Sequence, residues 1–377
     1  MVVDPRRDHS FRVPRPDLSV KLGVPNACTG CHDDRSAEWA TRQLKQWYGS
    51  GRAASPHFGE ALAGARAGDA EARRRLARIA GDGARPAIVR ATALATLGRQ
   101  IDRDGFAAVR DGLRSDDALV RLAAVSALEG LDPRDRFAAA YSLVDDPVRA
   151  VRLEATRQLA PVPLEALPPD AAGALGKAFE AFEQSLEQIA DRPESLTVLG
   201  NFYRDRGNAA KSETTYLEAL ARHPWFAPAY ANLADLYRSL GRDQDGARVL
   251  SAGIDAAPEN ADLHYAYGLL LVRQQRLADA TRHLERAAEL RPDDPRYSFV
   301  YALALQRTGE TDVALAILRE AHRRHGGNRE ILFALATMNR DAGNLDDAVR
   351  YANALVDMAP DDPRARQLLE SLKAARR

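Results

Sequence analysis

The feature that most constrains this chain is a periodicity. In the units that begin at Pro193, the residues Pro224, Pro258, Pro292, Gly326 and Pro360 are each 34 apart. Eight positions into each unit stand Gly200, Ala234, Gly268, Ala302 and Ala336, and three positions further come Tyr203, Tyr237, Leu271, Leu305 and Asn339. A second small position recurs as Ala219, Gly253, Ala287 and Ala321, with Leu355 the exception in the last unit. A repeat of this length accommodates two helices. The small residues mark where the paired helices touch, and proline, lacking an N–H, ends the second helix and sets the turn to the next unit. One such pair cannot bury its apolar face alone, so the units must stack. Pro363 to Arg377 reads as a polar helix that caps the exposed end.

A second array precedes it. Residues 84–160 repeat with a period of 31: Val89-Arg90, Val120-Arg121 and Val151-Arg152 align, as do Ala93, Ala124 and Ala155, and Leu97, Leu128 and Leu159. Each block opens on a turn containing Asp or Pro, at Arg85-Pro86, Asp116-Asp117 and Asp145-Asp146-Pro147. The pattern resembles short HEAT-like helix pairs, with alanines permitting close approach and leucines filling the shared core. The aligned arginines are expected to cap or brace the turns rather than bind a ligand. A helix from His57 to Ala80 is expected to begin this array. Pro161, Pro163, Pro168 and Pro169 punctuate a connector between the two arrays.

The chain has only two cysteines, Cys28 and Cys31, and His32 follows directly. Cys28-Thr29-Gly30-Cys31-His32 fits C-x-x-C-H, the attachment pattern for c-type haem. Two thiols at that spacing can form thioethers to the two vinyl groups on one porphyrin edge, and the adjacent imidazole can bind the iron as proximal ligand. Two other chemistries use such a pair. A redox dithiol usually follows a strand in a βαβ unit, and no strand pattern is visible. A zinc site needs a second ligand pair, and none is present in the sequence. Pro25 and Asn26 read as a turn into the motif, and Ser36 as the N-cap of a helix running to Tyr48. Trp39, Leu44, Trp47 and Tyr48 lie near one face of that helix, either as cover for a haem or as ordinary core. Two histidines are candidates for the distal iron ligand: His9, within a proline-rich extended stretch, and His57, at the start of the next helix. His223, His264, His283, His322 and His325 read as ordinary helix or loop residues.

The 34-residue units are similar to tetratricopeptide repeats, at five units. The stretches D-H-S-F-R-V-P-R-P-D-L-S and V-P-N-A-C-T-G-C-H, with the helix ending W-Y-G, resemble the periplasmic multihaem c-type cytochromes fused to tetratricopeptide repeats in bacteria. That resemblance implies haem c (iron) as cofactor and a periplasmic location. The sequence departs from the family in having one motif, and Met1 to Arg15 has no apolar core of a signal peptide. The expectation is therefore a chain that starts downstream of further haem motifs. On that expectation His9 serves a haem attached upstream, and His57 is the better candidate for this one. The tetratricopeptide resemblance further implies a concave groove lined by the fifth and twelfth positions of each unit. The fifth positions are Thr197, Ala231, Tyr265, Phe299 and Phe333, and the twelfth include Arg204, Arg238 and Arg340. These aromatics either grip a peptide or pack against the neighbouring helix.

The expected fold class is all-α, with a haem-binding segment over 1–56, HEAT-like repeats over 57–165, a connecting helix or linker over 166–192, five repeat units over 193–362 and a capping helix over 363–377. Alanine, leucine and arginine dominate, which favours helix. Basic and acidic residues balance at 53 each, so charge gives no argument for a nucleic-acid partner. No stretch is apolar for long enough to span a bilayer. No phosphate-cradling glycine loop, G-x-S-x-G or H-E-x-x-H is present, so no enzyme is expected. Three function classes follow: electron transfer with the repeats docking a redox protein partner, an interaction scaffold with a vestigial or unoccupied haem site, and an open-site haem enzyme or sensor. Electron transfer is the primary expectation.

Overall fold

The computed structural model describes residues 14–51, 56–358 and 362–376. His9 and Pro360 lie outside the described residues. Every regular element among the described residues is helical.

The N-terminal segment holds two short helices, Pro16–Leu22 and Ala27–Cys31, and a longer one, Ala37–Tyr48. The longer helix starts where the sequence places its cap, with Ser36 Oγ accepting from the Trp39 N–H. Little of this segment is buried; Leu18 and Ala40 are its deepest apolar residues.

The first repeat array runs through Phe58–Arg66, Ala70–Gly81, Ala87–Leu97, Arg103–Gly112, Ala118–Ser126, Pro133–Ala140 and Arg149–Gln158. The aligned positions behave as the 31-residue period requires. Ala93, Ala124 and Ala155 and Leu97, Leu128 and Leu159 are all buried. The aligned arginines brace turns: Arg90 donates to Ala80 O, Arg121 to Ser115 O and Asp116 O, and Arg152 to Asp146 O and Pro147 O. Each satisfies carbonyls that a helix pair leaves unpaired at its turn.

Residues after the prolines form a 19-residue helix, Pro169–Glu187. Its Leu175, Phe179 and Phe182 enter the same core as Leu159 and Val162 on one side and Leu199, Phe202 and Tyr203 on the other. The connector thus joins the two arrays through one continuous core.

In the second array every helix begins 34 residues after its counterpart in the preceding unit. First helices are Pro193–Asp205, Ala227–Ser239, Ala261–Arg273, Pro295–Thr308 and Arg329–Asp341, and second helices are Ala209–Arg222, Asp243–Ala256, Leu277–Leu290, Thr311–Arg324 and Leu345–Met358. Close approach explains the small positions. A Cβ on Gly200 would lie 2.4 Å from the Tyr216 ring, and one on Gly268 would lie 2.6 Å from Leu284. Between the helices of each unit the chain turns through positive φ at Gly207, Gly241, Gln275, Gly309 and Gly343. Glycine supplies that conformation without steric cost at four of the five sites, and Gln275 is the exception. Tyrosines tie successive helices: Tyr203 donates to Glu183 (2.9 Å), Tyr237 to Glu213 (2.7 Å) and Tyr301 to Glu285 (2.9 Å). The last helix, Pro363–Arg376, buries Ala365, Leu369 and Leu372 against the final unit and leaves its polar face outside.

Candidate functional site

The C-x-x-C-H motif forms one helical turn. Asn26 caps it, its Oδ1 accepting from the N–H groups of Cys28 (3.1 Å) and Thr29 (3.2 Å). Its Nδ2 donates to Ser19 Oγ at 3.1 Å, which anchors the turn to the first helix. His32 follows as the C-cap, with its N–H bonded to Cys28 O. This short turn brings Cys28, Cys31 and His32 to a single cleft of about 190 Å³, whose remaining walls are Ala27, Trp39, Ala40, Gln43, Leu44 and Trp47. The His32 ring tilts against Trp39 with centroids 5.0 Å apart. Trp47 and Tyr48 are 64 % and 59 % exposed, so neither belongs to a closed core.

The donor set fits a c-type haem: two thiols and an imidazole share a cleft with an apolar, aromatic wall. The cleft is smaller than the roughly 300–1,000 Å³ of pockets that engulf a whole small molecule, so these walls would cover only part of a macrocycle. The structure does not bring His57 to this cleft. His57 caps the helix Phe58–Arg66, its Nδ1 accepting from the Gly59 N–H at 3.1 Å and its ring lying against Phe58. It lines a separate cleft with Pro56, Glu60, Arg75, Arg78 and Arg85. The other distal candidate, His9, lies outside the described residues. No group of three or more His, Cys, Asp or Glu side chains is gathered for a metal ion among the described residues.

The fifth positions of the second array divide into three environments. Thr197 is buried and bonds Pro193 O within its own helix. Tyr265 stacks edge-on against Tyr297 of the next unit (5.2 Å), with the Arg296 guanidinium over its ring (5.0 Å). Phe299 packs against the core of the last units, whereas Phe333 stays 47 % exposed. Ala231 is half-buried. The twelfth-position arginines each pair with a carboxylate on their own helix: Arg204 with Asp205, Arg238 with Asp235 and Arg340 with Asp341. Packing therefore claims Tyr265 and Phe299, and leaves Phe333 as the open aromatic of the set.

The structure brings together His264 and His283, which sequence periodicity leaves as ordinary helix residues. Their Nδ1 atoms are 3.1 Å apart, and His264 Nε2 lies 3.0 Å from Pro258 O. A carbonyl only accepts, so His264 Nε2 carries the proton and His264 Nδ1 accepts from His283 Nδ1–H. Burial pushes the His283 pKa down, and His264 and Arg282 push it further, against Asp279.

The family models agree with the repeat geometry. Two family models described as tetratricopeptide repeat match, over residues 166–327 and 305–372. A curated relative, cellulose synthase operon protein C of Xanthomonas axonopodis pv. citri, is 25 % identical over 186 residues, which cover 47 % of this chain but only 12 % of that protein. Among solved structures, YrrB, described as a TPR protein with an unusual peptide-binding site, is 22 % identical, covers 50 % of this chain and 97 % of its own, and superposes with a TM-score of 0.40. The pilF protein of Pseudomonas aeruginosa is 17 % identical, with coverage of 59 % and 97 % and a TM-score of 0.41. No helix among the described residues is long and apolar enough to cross a membrane. Residues 166–372, over which the two family models match, are therefore built of tetratricopeptide repeats, and the described residues form an all-α helical-repeat fold.

Proposed function

We propose that this protein is an interaction scaffold that docks a protein segment on the last tetratricopeptide units. The observation that carries the reading is Phe333. It is an apolar ring left 47 % exposed on a helix whose other large apolar residues are buried. Arg340 lies seven residues on, and that spacing places it on the same helix face. An aromatic anchor beside a guanidinium suits a peptide carrying an apolar residue near a carboxylate. Panning a displayed peptide library on the wild-type chain, with a Phe333→Ala/Arg340→Ala double variant as counter-selection, tests it. Recovery of apolar-acidic peptides that the variant loses supports the reading; peptides that bind both proteins equally refute it.

A second reading is favoured by one observation, the convergence of Cys28, Cys31 and His32 on a single aromatic-walled cleft. On this reading the two thiols attach haem c, His32 is the proximal ligand, and the repeats dock redox partners in the periplasm. When bound, such a group exchanges single electrons. Trp39 and Trp47 would cover part of it, and the Asn26 cap would hold both thiols in one orientation. Export into a periplasm with a working haem-attachment system, followed by a haem-stained denaturing gel and a visible spectrum, tests this. A stained band with a low-spin spectrum supports a cytochrome with a second axial ligand, and a high-spin spectrum supports the open-site sensor or enzyme. Unstained protein leaves the scaffold alone.

A further inference from the structure

The two ends of the solenoid meet. The turn Ala67–Gly68, between helices Phe58–Arg66 and Ala70–Gly81, rests on the turn Gly326–Gly327 and on Met358. A Cβ built on Gly327 would stand 1.9 Å from Ala67 O and 2.8 Å from Ala67 Cα. One built on Gly68 would stand 3.2 Å from Met358 Cε and 3.3 Å from Gly327 O.

The sequence carries an independent trace of this contact. One repeat earlier, the position of Gly327 is occupied by Asp293, and before that by Glu259 and Trp225. The neighbouring position is Pro224, Pro258 and Pro292 in those units and Gly326 here. Neither glycine of the pair is among the residues with positive φ, so the backbone conformation of this turn does not call for glycine. What calls for it at Gly327 is the carbonyl of Ala67, which leaves no room for a side chain. At Gly327 the repeat has given up its usual residue where the far end of the chain touches it, whereas a Cβ on Gly326 would meet only His322 O, at 3.8 Å.

We propose that the Ala67–Gly68 turn is an intramolecular latch that closes the two arrays into a ring, with the Gly326–Gly327 turn and Met358 as its seat. The latch holds because its parts belong to one chain and meet at high effective concentration.

Small-angle scattering of the full chain tests this. Gly327→Leu should keep the wild-type helical circular dichroism and raise the maximum dimension by about one helix diameter, roughly 10 Å. Glu259→Leu, at the same repeat position without the contact, should leave the scattering unchanged. Equal maximum dimensions for wild type and a folded Gly327→Leu would overturn the latch. If Gly327→Leu fails to fold, the decision passes to the otherwise wild-type chain carrying spin labels at the exposed positions Arg66 and Glu330, with Cys28 and Cys31 replaced by serine. One short, narrow distance supports closure, and a long distance alone refutes it.

Discussion

The guanidinium of Arg121 forks onto the Asp146 carboxylate of the next helix pair, with Nε to Oδ2 at 2.7 Å and the second nitrogen to Oδ1 at 3.0 Å. Both side chains are largely buried, at 12 % and 3 % exposure. Asp146 also accepts from the Val148 N–H, so one carboxylate joins two turns of the first array. Removing one partner strands the other as an unpaired buried charge. Arg121→Ala should therefore destabilise the array by about 3 kcal/mol, read as a lowered urea midpoint. Arg121→Lys should recover only part, because an ammonium cannot fork.

The same pair sets an acid limit. Hydrogen bonding from Arg121 holds the Asp146 carboxyl below its ordinary value, outweighing burial, which pushes it up. A depressed carboxylate stabilises the fold fully above its unfolded pKa of about 3.9, and that contribution is lost as pH falls through the lower folded value. Asp146→Asn should be less stable at pH 7 and should lose less stability than wild type between pH 5 and pH 2. Parallel pH curves for the two proteins would contradict this.

Gln275 occupies a turn position where the other four units have glycine, and it does so at φ 62°. A side chain in left-handed backbone costs about 1 kcal/mol. Gln275→Gly should raise stability by up to that amount, measured by thermal or urea unfolding, although glycine loses more backbone entropy on folding. An unchanged or lowered midpoint would show that the Gln275 side chain makes a compensating contact.

The His264–His283 pair predicts a second pH response. The His283 pKa lies below its ordinary value, chiefly through burial. Stability from the neutral ring is complete above the unfolded value of about 6.5 and falls away as pH drops through the folded one. The groups facing the ring are His264, Tyr267, Asp279 and Arg282. His283→Gln keeps a donor for His264 Nδ1 without a titrating ring. Its midpoint should fall less than the wild type's between pH 7.5 and pH 5.

Phe299 and Phe333 occupy the same repeat position and should respond differently. Phe299 packs against the core and Phe333 is open. Phe299→Ala should cost about 2 kcal/mol of stability, while Phe333→Ala should stay within about 0.5 kcal/mol and lose peptide binding instead. Equal thermal shifts would place both rings in the core.

Cys28→Ser and Cys31→Ser should remove any covalent haem from periplasmic protein and leave the helical circular dichroism intact. The motif turn contributes no residue to the repeat cores, so collapse of the helices with the thiols would disprove the modular arrangement.

The sequence by itself determined the helices and their order. Period, small residues and prolines are local rules, and they place Ala93, Leu128, Gly200 and Gly268 in helix contacts and give Arg90, Arg121 and Arg152 a bracing role. The three-residue spacing of Cys28 and Cys31, with His32 adjacent, was likewise enough to bring them to one cleft, because a single helical turn does so. Tertiary structure decided what depends on distance through space. It set His57 in a different cleft as a helix cap, drew Phe299 inward while leaving Phe333 out, joined His264 to His283, and brought Ala67 onto Gly327. The Ala67–Gly327 contact arises from the small rotation between successive repeats, summed along the solenoid, and the others from how individual side chains pack within and between helix pairs.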